Sequence, residues 1–193
     1  DMPVTGVITA AGRSSRMAPD HKLIMDIHGK TLIRRSLDSL LPFCEKVIIV
    51  VGSNALAIEK ETKDEKVILV RNQDDLNDMF SSVKTGLRQA VGRVLFLPGD
   101  CPFSPPDLIQ RMLVAQGEVI VASYKGKTGH PILLSEKTVQ AILNDPTLHH
   151  LKQYLQSHPL TMINANTESV LWDIDTHSDL HKAQVYFAKL EGE

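Results

Sequence analysis

Short apolar runs alternate with stretches of helical spacing, and this rhythm limits the folds open to the chain more than any other feature. Val4–Ala10 reads as a buried strand, and Lys46–Val51, Lys66–Val70, Arg93–Leu97 and Glu118–Ala122 read as four more. Near-continuous Val, Ile and Leu suits parallel strands covered on both faces. Between the runs, Leu32, Ile33, Leu37, Leu40 and Leu41 form one apolar stripe, closed by Pro42. Val83, Leu87 and Ala90 form a second stripe. Leu108, Ile109, Met112 and Leu113 form a third, entered through Pro105-Pro106 as helix starts often are. Strand–helix–strand alternation implies right-handed crossovers, and so an α/β fold with one doubly wound, mostly parallel sheet flanked by helices. Ligands of such sheets bind beyond the carboxyl ends of the strands. The segments after Ala10, Val51, Val70 and Leu97 are therefore the places to look.

Past Ser123 the rhythm changes. Gly126, Gly129 and Pro131 punctuate the chain, and Pro131–Leu134 is a short apolar run. Helical spacing returns at Val139–Leu143 and Leu148–Leu155. Leu160–Ile163 and Val170–Asp173 read as short strands, and His177–Leu190 as a final helix. Without linker composition or internal repeats, residues 1–193 are expected to form a single domain. A balance of 21 basic and 23 acidic residues provides no general attraction to nucleic acid or anionic membrane, but leaves room for a small anionic substrate. Cys44 and Cys101 are far apart and in no metal-ligand spacing, which suits a reducing cytoplasm. No apolar run approaches the roughly 20 residues that span a bilayer, and the N-terminus lacks the charged opening of a signal peptide.

The loop after the first strand reads Thr9-Ala10-Ala11-Gly12-Arg13-Ser14-Ser15-Arg16-Met17, with Lys22 close behind. Small residues let the backbone approach a phosphate, and successive N–H groups can form an anion nest. Arg13, Arg16 and Lys22 would then neutralise a triphosphate. The alternative is a tight turn with solvated basic residues. The dinucleotide fingerprint G-x-G-x-x-G is missing. Gly29-Lys30-Thr31 and Gly126-Lys127-Thr128 end like P-loops, but Ile24 and Val121 stand where the first glycine belongs. Gly29-Lys30-Thr31 is read instead as a turn into the following helix.

Two acidic segments follow. Pro98-Gly99-Asp100-Cys101-Pro102 places an Asp just past a strand end, where it is either a Mg²⁺ ligand or a turn residue. In Trp172-Asp173-Ile174-Asp175-Thr176, the two carboxylates would point to one side of a strand and join Asp100 in a metal clamp. Alternatively, Asp175 or Thr176 caps the last helix. His177 and His181 have helical zinc spacing but lack the glutamate of H-E-x-x-H, so a solvated face is expected. His130 is either a hydrogen-bonded loop histidine or an acceptor contact.

Taken together, AAGRSSRM, a nearby lysine, PGDCP, GHP and DIDT resemble the molybdenum cofactor cytidylyltransferase family, from Val4 to about Tyr186. That group of nucleotidyltransferases has a Rossmann-like fold. The resemblance implies a cytoplasmic enzyme that moves CMP from CTP to the phosphate of molybdopterin and releases pyrophosphate, with Mg²⁺ as cofactor and transient contact with a molybdoenzyme. It implies that Ala10, Ala11 and Gly12 wrap the nucleotide and that Arg16 and Lys22 contact its phosphates. Asn72 and the helix start Ser81-Ser82-Val83 would lie near base and ribose. Asp100 would hold Mg²⁺ with Asp173 or Asp175, and Gly129-His130-Pro131 would line the acceptor pocket. AAG rather than AGG favours the cytidylyl over the guanylyl branch. Asp78 and Phe80 stand where the family often has glycine, Ala18 replaces another glycine, and His177 replaces a proline. Competing readings are transfer to a sugar or alcohol phosphate, a D-x-D glycosyltransferase, and a non-catalytic cofactor carrier. An NAD(P)-dependent oxidoreductase is disfavoured by the missing fingerprint.

Overall fold

A computed structural model describes residues 2–11, 22–73 and 78–192. Seven strands form the central sheet, in the order β5-β4-β1-β6-β8-β7-β9. These are β1 (Val4–Thr9), β4 (Lys46–Val51), β5 (Val67–Arg71), β6 (Arg93–Pro98), β7 (Val119–Tyr124), β8 (Lys127–Leu134) and β9 (Thr161–Asn164). β1 is parallel to β4 and β6, and β4 to β5. β8 runs antiparallel to both its neighbours, β6 and β7. The expected mostly parallel, doubly wound sheet is therefore present. Two adjacent strands are almost wholly buried, β1 throughout and β4 from Val47 on.

Helices cover both faces. On one lie α1 (Leu32–Leu40), α2 (Ala55–Glu61), α4 (Pro106–Val114) and α7 (His177–Leu190), over a core that includes Ile8, Ile49, Leu97 and Ile109. On the other lie α3 (Met79–Gln89), α5 (Glu136–Asn144) and α6 (Leu151–Gln156), over Val7, Val50, Phe96 and Ile132. α3 approaches closely at Gly86, where a Cβ would strike the Val7 side chain and meet Val50 at 3.1 Å. None of the helices among the described residues is long and apolar enough to cross a membrane.

Three details depart from the sequence reading. Val170–Asp173 is not a strand: Glu168–Leu171 forms a 3-10 turn, capped by the Thr167 hydroxyl, and an extended segment follows. His149 and His150 precede α6 rather than lying within it. Gly129 and His130 lie inside a strand, because β8 begins at Lys127 through a tight turn at Lys125-Gly126 with positive φ at both residues. Positive φ at both central positions matches the right-handed twist of a two-residue hairpin.

A small hairpin of β2 (Asp26–Ile27) and β3 (Lys30–Thr31) precedes α1, and Thr31 caps that helix, as expected of the Gly29-Lys30-Thr31 turn. Arg35, buried in α1, ties this hairpin to the last helix. It donates to the carbonyls of Ile27 (2.9 Å) and His28 (2.7 Å) and to the Glu191 carboxylate (3.0 Å), and it stacks 4.2 Å over Phe187.

Candidate active site

Asp100 sits in the turn that leaves β6 at the carboxyl end of the sheet. Its backbone is held from three sides. Gly99 N donates to Thr9 O (2.9 Å), Cys101 N to Pro98 O (3.1 Å), and Ile174 N to Asp100 O (3.0 Å). The side chain faces a buried lysine: Lys22 Nζ, from a 3-10 turn at Lys22–Ile24, lies 3.0 Å from Asp100 Oδ2. The same ammonium lies 4.0 Å from Asp175 Oδ1. Residues 22, 100 and 175 thus meet at one point: Asp100 is a turn residue, and its carboxylate belongs to a charge cluster.

The bond from Ile174 N to Asp100 O carries the 173–175 segment to the site. The 3-10 turn ahead of it packs directly on β8 at Gly129, where a Cβ would fall on the Val170 carbonyl oxygen and 2.8 Å from its carbon. Gly129 therefore serves as a seat for this turn as well as a wall residue. Thr176 begins α7 as its N-cap, with a reciprocal capping box to Asp179. Capping thus falls to Thr176 and Asp179, while Asp175 faces Lys22. His177 takes the first helical position, where proline is favoured. His177 and His181 are exposed, as expected. Asp173 is exposed, and its carboxyl is held above the usual range, first by desolvation and then by the Asp100 charge. Among the described residues no three Asp, Glu, His or Cys side chains form a metal cage.

Beside this cluster lies a cavity of about 460 Å³ on the face of α3 and α6. Phe80, Val83, Phe96, Ile132 and Leu155 supply apolar wall, while Gly129, His130, His150 and Lys152 also line it. Phe80, at a position that is often glycine in the resembling family, is thus part of this wall. His130 meets Phe96 edge-on, with ring centroids 6.1 Å apart. Burial pushes the His130 pKa down to about 4, against the opposing pull of Asp100. At neutral pH it is an uncharged hydrogen-bonding group and adds no positive charge for a phosphate. Cys101 is buried, and burial together with the Asp100 charge raises its thiol well above the usual range, so it is a packed thiol rather than a nucleophile.

The His130 shift makes a stability prediction. Its folded pKa is depressed, so between pH 6.5 and about 4 the unfolded chain binds the extra proton. Stability is therefore lost as pH falls through this window, by about 3 kcal/mol at most. Melting curves from pH 7 to 4 should show a shallower decline for His130→Gln than for the wild type. Equal slopes would rule out His130 as the source.

Residues assigned to nucleotide contact converge at the ends of β1, β4 and β5. Ala10 N donates to Val50 O (2.8 Å), and the Ala10 carbonyl accepts from buried Asn54 Nδ2 (2.8 Å). Gly52 lies against Ala11. Asn72 N donates to Val51 O (2.8 Å), and its side-chain amide donates to Ser81 Oγ and Ser82 Oγ, both at 2.9 Å. This ties the end of β5 to the start of α3, which Asp78 caps. The sequence reading missed Asn54, whose only signal is a Ser-Asn turn after a strand. Gly12, Arg13 and Arg16 lie outside the described residues.

Comparison with known proteins places this geometry in context. A family profile, the MobA-like NTP transferase domain, matches residues 6–162. Over 187 residues the chain is 25% identical to the molybdenum cofactor cytidylyltransferase of Escherichia coli (strain K12), covering 95% of this chain and 97% of that protein. Over 198 residues it is 27% identical to the nicotine blue oxidoreductase of Paenarthrobacter nicotinovorans, covering 94% and 97%. Among solved structures, a nucleotidyl transferase from Methanothermobacter thermautotroptrophicus superposes with a TM-score of 0.83 at 23% identity, over 97% of this chain and 99% of that one, which shows a shared fold.

Proposed function

As the chain belongs to the MobA-like NTP transferase domain family, we propose that it transfers CMP from CTP to the terminal phosphate of molybdopterin and releases pyrophosphate. The observation that carries this reading is the meeting of Lys22, Asp100 and Asp175 at the carboxyl end of the sheet. The choice of CTP and molybdopterin is supported by likeness to the Escherichia coli cytidylyltransferase over nearly the whole chain, and by Ala11 in the first loop.

The donor set suits Mg²⁺. Asp100 and Asp175 offer hard oxygens within 4.0 Å of one ammonium, and the nearby Asp173 carboxyl is raised first by desolvation and then by the Asp100 charge. Mg²⁺ takes one or two carboxylates and completes its shell with water and phosphate oxygens, so a three-residue cage is not needed. When bound, Mg²⁺ polarises the phosphoryl group and neutralises developing charge. The chain's own residues do the rest. Ala10 and Ala11 form the start of the cradle, braced by Asn54, while Lys22 holds the triphosphate. A phosphate monoester is mostly ionised at neutral pH, its second pKa being about 6, so the acceptor needs no general base. Catalysis is then positioning plus electrostatics. The 460 Å³ cavity, with neutral His130 in its wall, receives the body of the acceptor.

The test is pyrophosphate release with Mg²⁺ and CTP, GTP, ATP or UTP, with and without molybdenum-loaded molybdopterin. Release with CTP only in the presence of the cofactor is expected. Release with a sugar or alcohol phosphate instead would keep the chemistry and replace the acceptor. Cofactor binding with no release from any nucleotide would leave a carrier, or a redox role like that named for the Paenarthrobacter relative.

A further inference from the structure

Lys22 has two demands on it that a single position cannot meet. As a phosphate contact its ammonium belongs on the triphosphate. In the structure it lies between two of the carboxylates read as metal ligands, 3.0 Å from Asp100 and 4.0 Å from Asp175, with only 10% of its side chain exposed. A buried ammonium there and a dication on the same oxygens repel each other strongly. We propose that Lys22 is the resident counter-ion of Asp100 and Asp175 in the nucleotide-free protein. Nucleoside triphosphate draws the ammonium off these carboxylates, so that the dication enters together with the nucleotide.

Local chain geometry fits such a movement. Lys22 sits in a single 3-10 turn tied onward by Met25 N to Lys22 O (3.2 Å) and by Leu32 N to Met25 O (2.9 Å). Its backbone is anchored while its four-carbon stem can swing the charge between two anionic partners. The backbone that carries the two carboxylates, by contrast, is held by bonds such as that from Ile174 N to Asp100 O, which do not involve Lys22. Exchange of cations then needs no rebuilding of the site. This inference rests on the reading of Asp100 and Asp175 as metal ligands.

The test is direct Mn²⁺ binding to the nucleotide-free protein, followed by the loss of the free-ion electron paramagnetic signal. Lys22→Met and Lys22→Gln remove the charge and keep most of the stem, and either folded variant serves. Each should bind Mn²⁺ about tenfold more tightly than the wild type, the order expected when one close, buried cation is removed. Adding Asp100→Asn should erase the gain. Unchanged or weaker Mn²⁺ binding in the Lys22 variants, with Asp100→Asn still abolishing it, overturns the counter-ion role and leaves the metal reading intact. Binding indifferent to Asp100→Asn overturns both.

Discussion

Replacing Asp100 with alanine lowers pyrophosphate release by about 10³-fold or more, the scale on which a group acting on transition-state charge is felt. The fold survives the change. The turn is held by the backbone of Gly99, Asp100 and Cys101, and alanine keeps every one of those bonds. Lys22 retains Asp175 within 4.0 Å, and the Asp100 side chain is itself a quarter exposed, so the lost ion pair costs about 1–2 kcal/mol. A melting point within about 3–8 °C of the wild type is expected. Asp100→Asn separates charge from shape, since an amide oxygen still accepts from Lys22; it should be nearly as inactive and closer to native in stability. Near-normal turnover in either variant removes Asp100 from the metal role.

Gly129→Ala should cost both stability and rate, although the residue carries no chemistry. Its methyl would land on the carbonyl of Val170, a backbone group in a turn whose Ser169 is wholly buried. The turn must shift, and overpacking of this kind costs about 1–3 kcal/mol. Whatever moves Val170 also moves Ile174 and Asp175, four and five residues on. A displacement of about 1 Å in a reacting constellation is worth about 10²-fold. The loss should appear mainly in kcat, because Ala10, Asn72 and Ser82 are held by β1, β4, β5 and α3 and do not lean on this turn. Wild-type kcat with a lowered melting point would reduce Gly129 to a packing residue.

The central sheet was legible because its physics is local. Strands buried on both faces are dominated by apolar residues: β4 and β6 carry near-continuous runs, and β1 carries Val4, Val7 and Ile8 among small residues, so their bounds could be read to within a residue or so. Asp100 was legible as a charged residue just past a strand end, and Lys22 as the lysine close behind the first loop. Harder to read was the second half, where pairing partners lie far apart. Lys127–His130 is polar and half exposed, and joins a strand only because Tyr124 and Ser123 pair with it, so no hydrophobic pattern marks it. Val170-Leu171-Trp172 is apolar enough to pass for a strand, yet the Thr167 cap and the seat at Gly129 make it a turn. Likewise, the contest between Asp175 and Thr176 for the cap was settled by a capping box with Asp179, three residues away on the helix. Asn54 was missed because what it holds, the Ala10 carbonyl, is 44 residues earlier.

The bond from Ile174 to Asp100 also has a consequence in time. Chains leave the ribosome N-terminus first, at about 5–20 residues per second, and fold as they emerge. Lys22 and Asp100 can therefore meet while the segment that carries Asp175 is still being made. Asp175 cannot join them until Ile174 is outside the ribosome and has closed a loop of 74 residues. Assembly of the charge cluster is thus completed only after the Asp100 turn has formed, and a product terminated before Ile174 would keep the first two partners without the third.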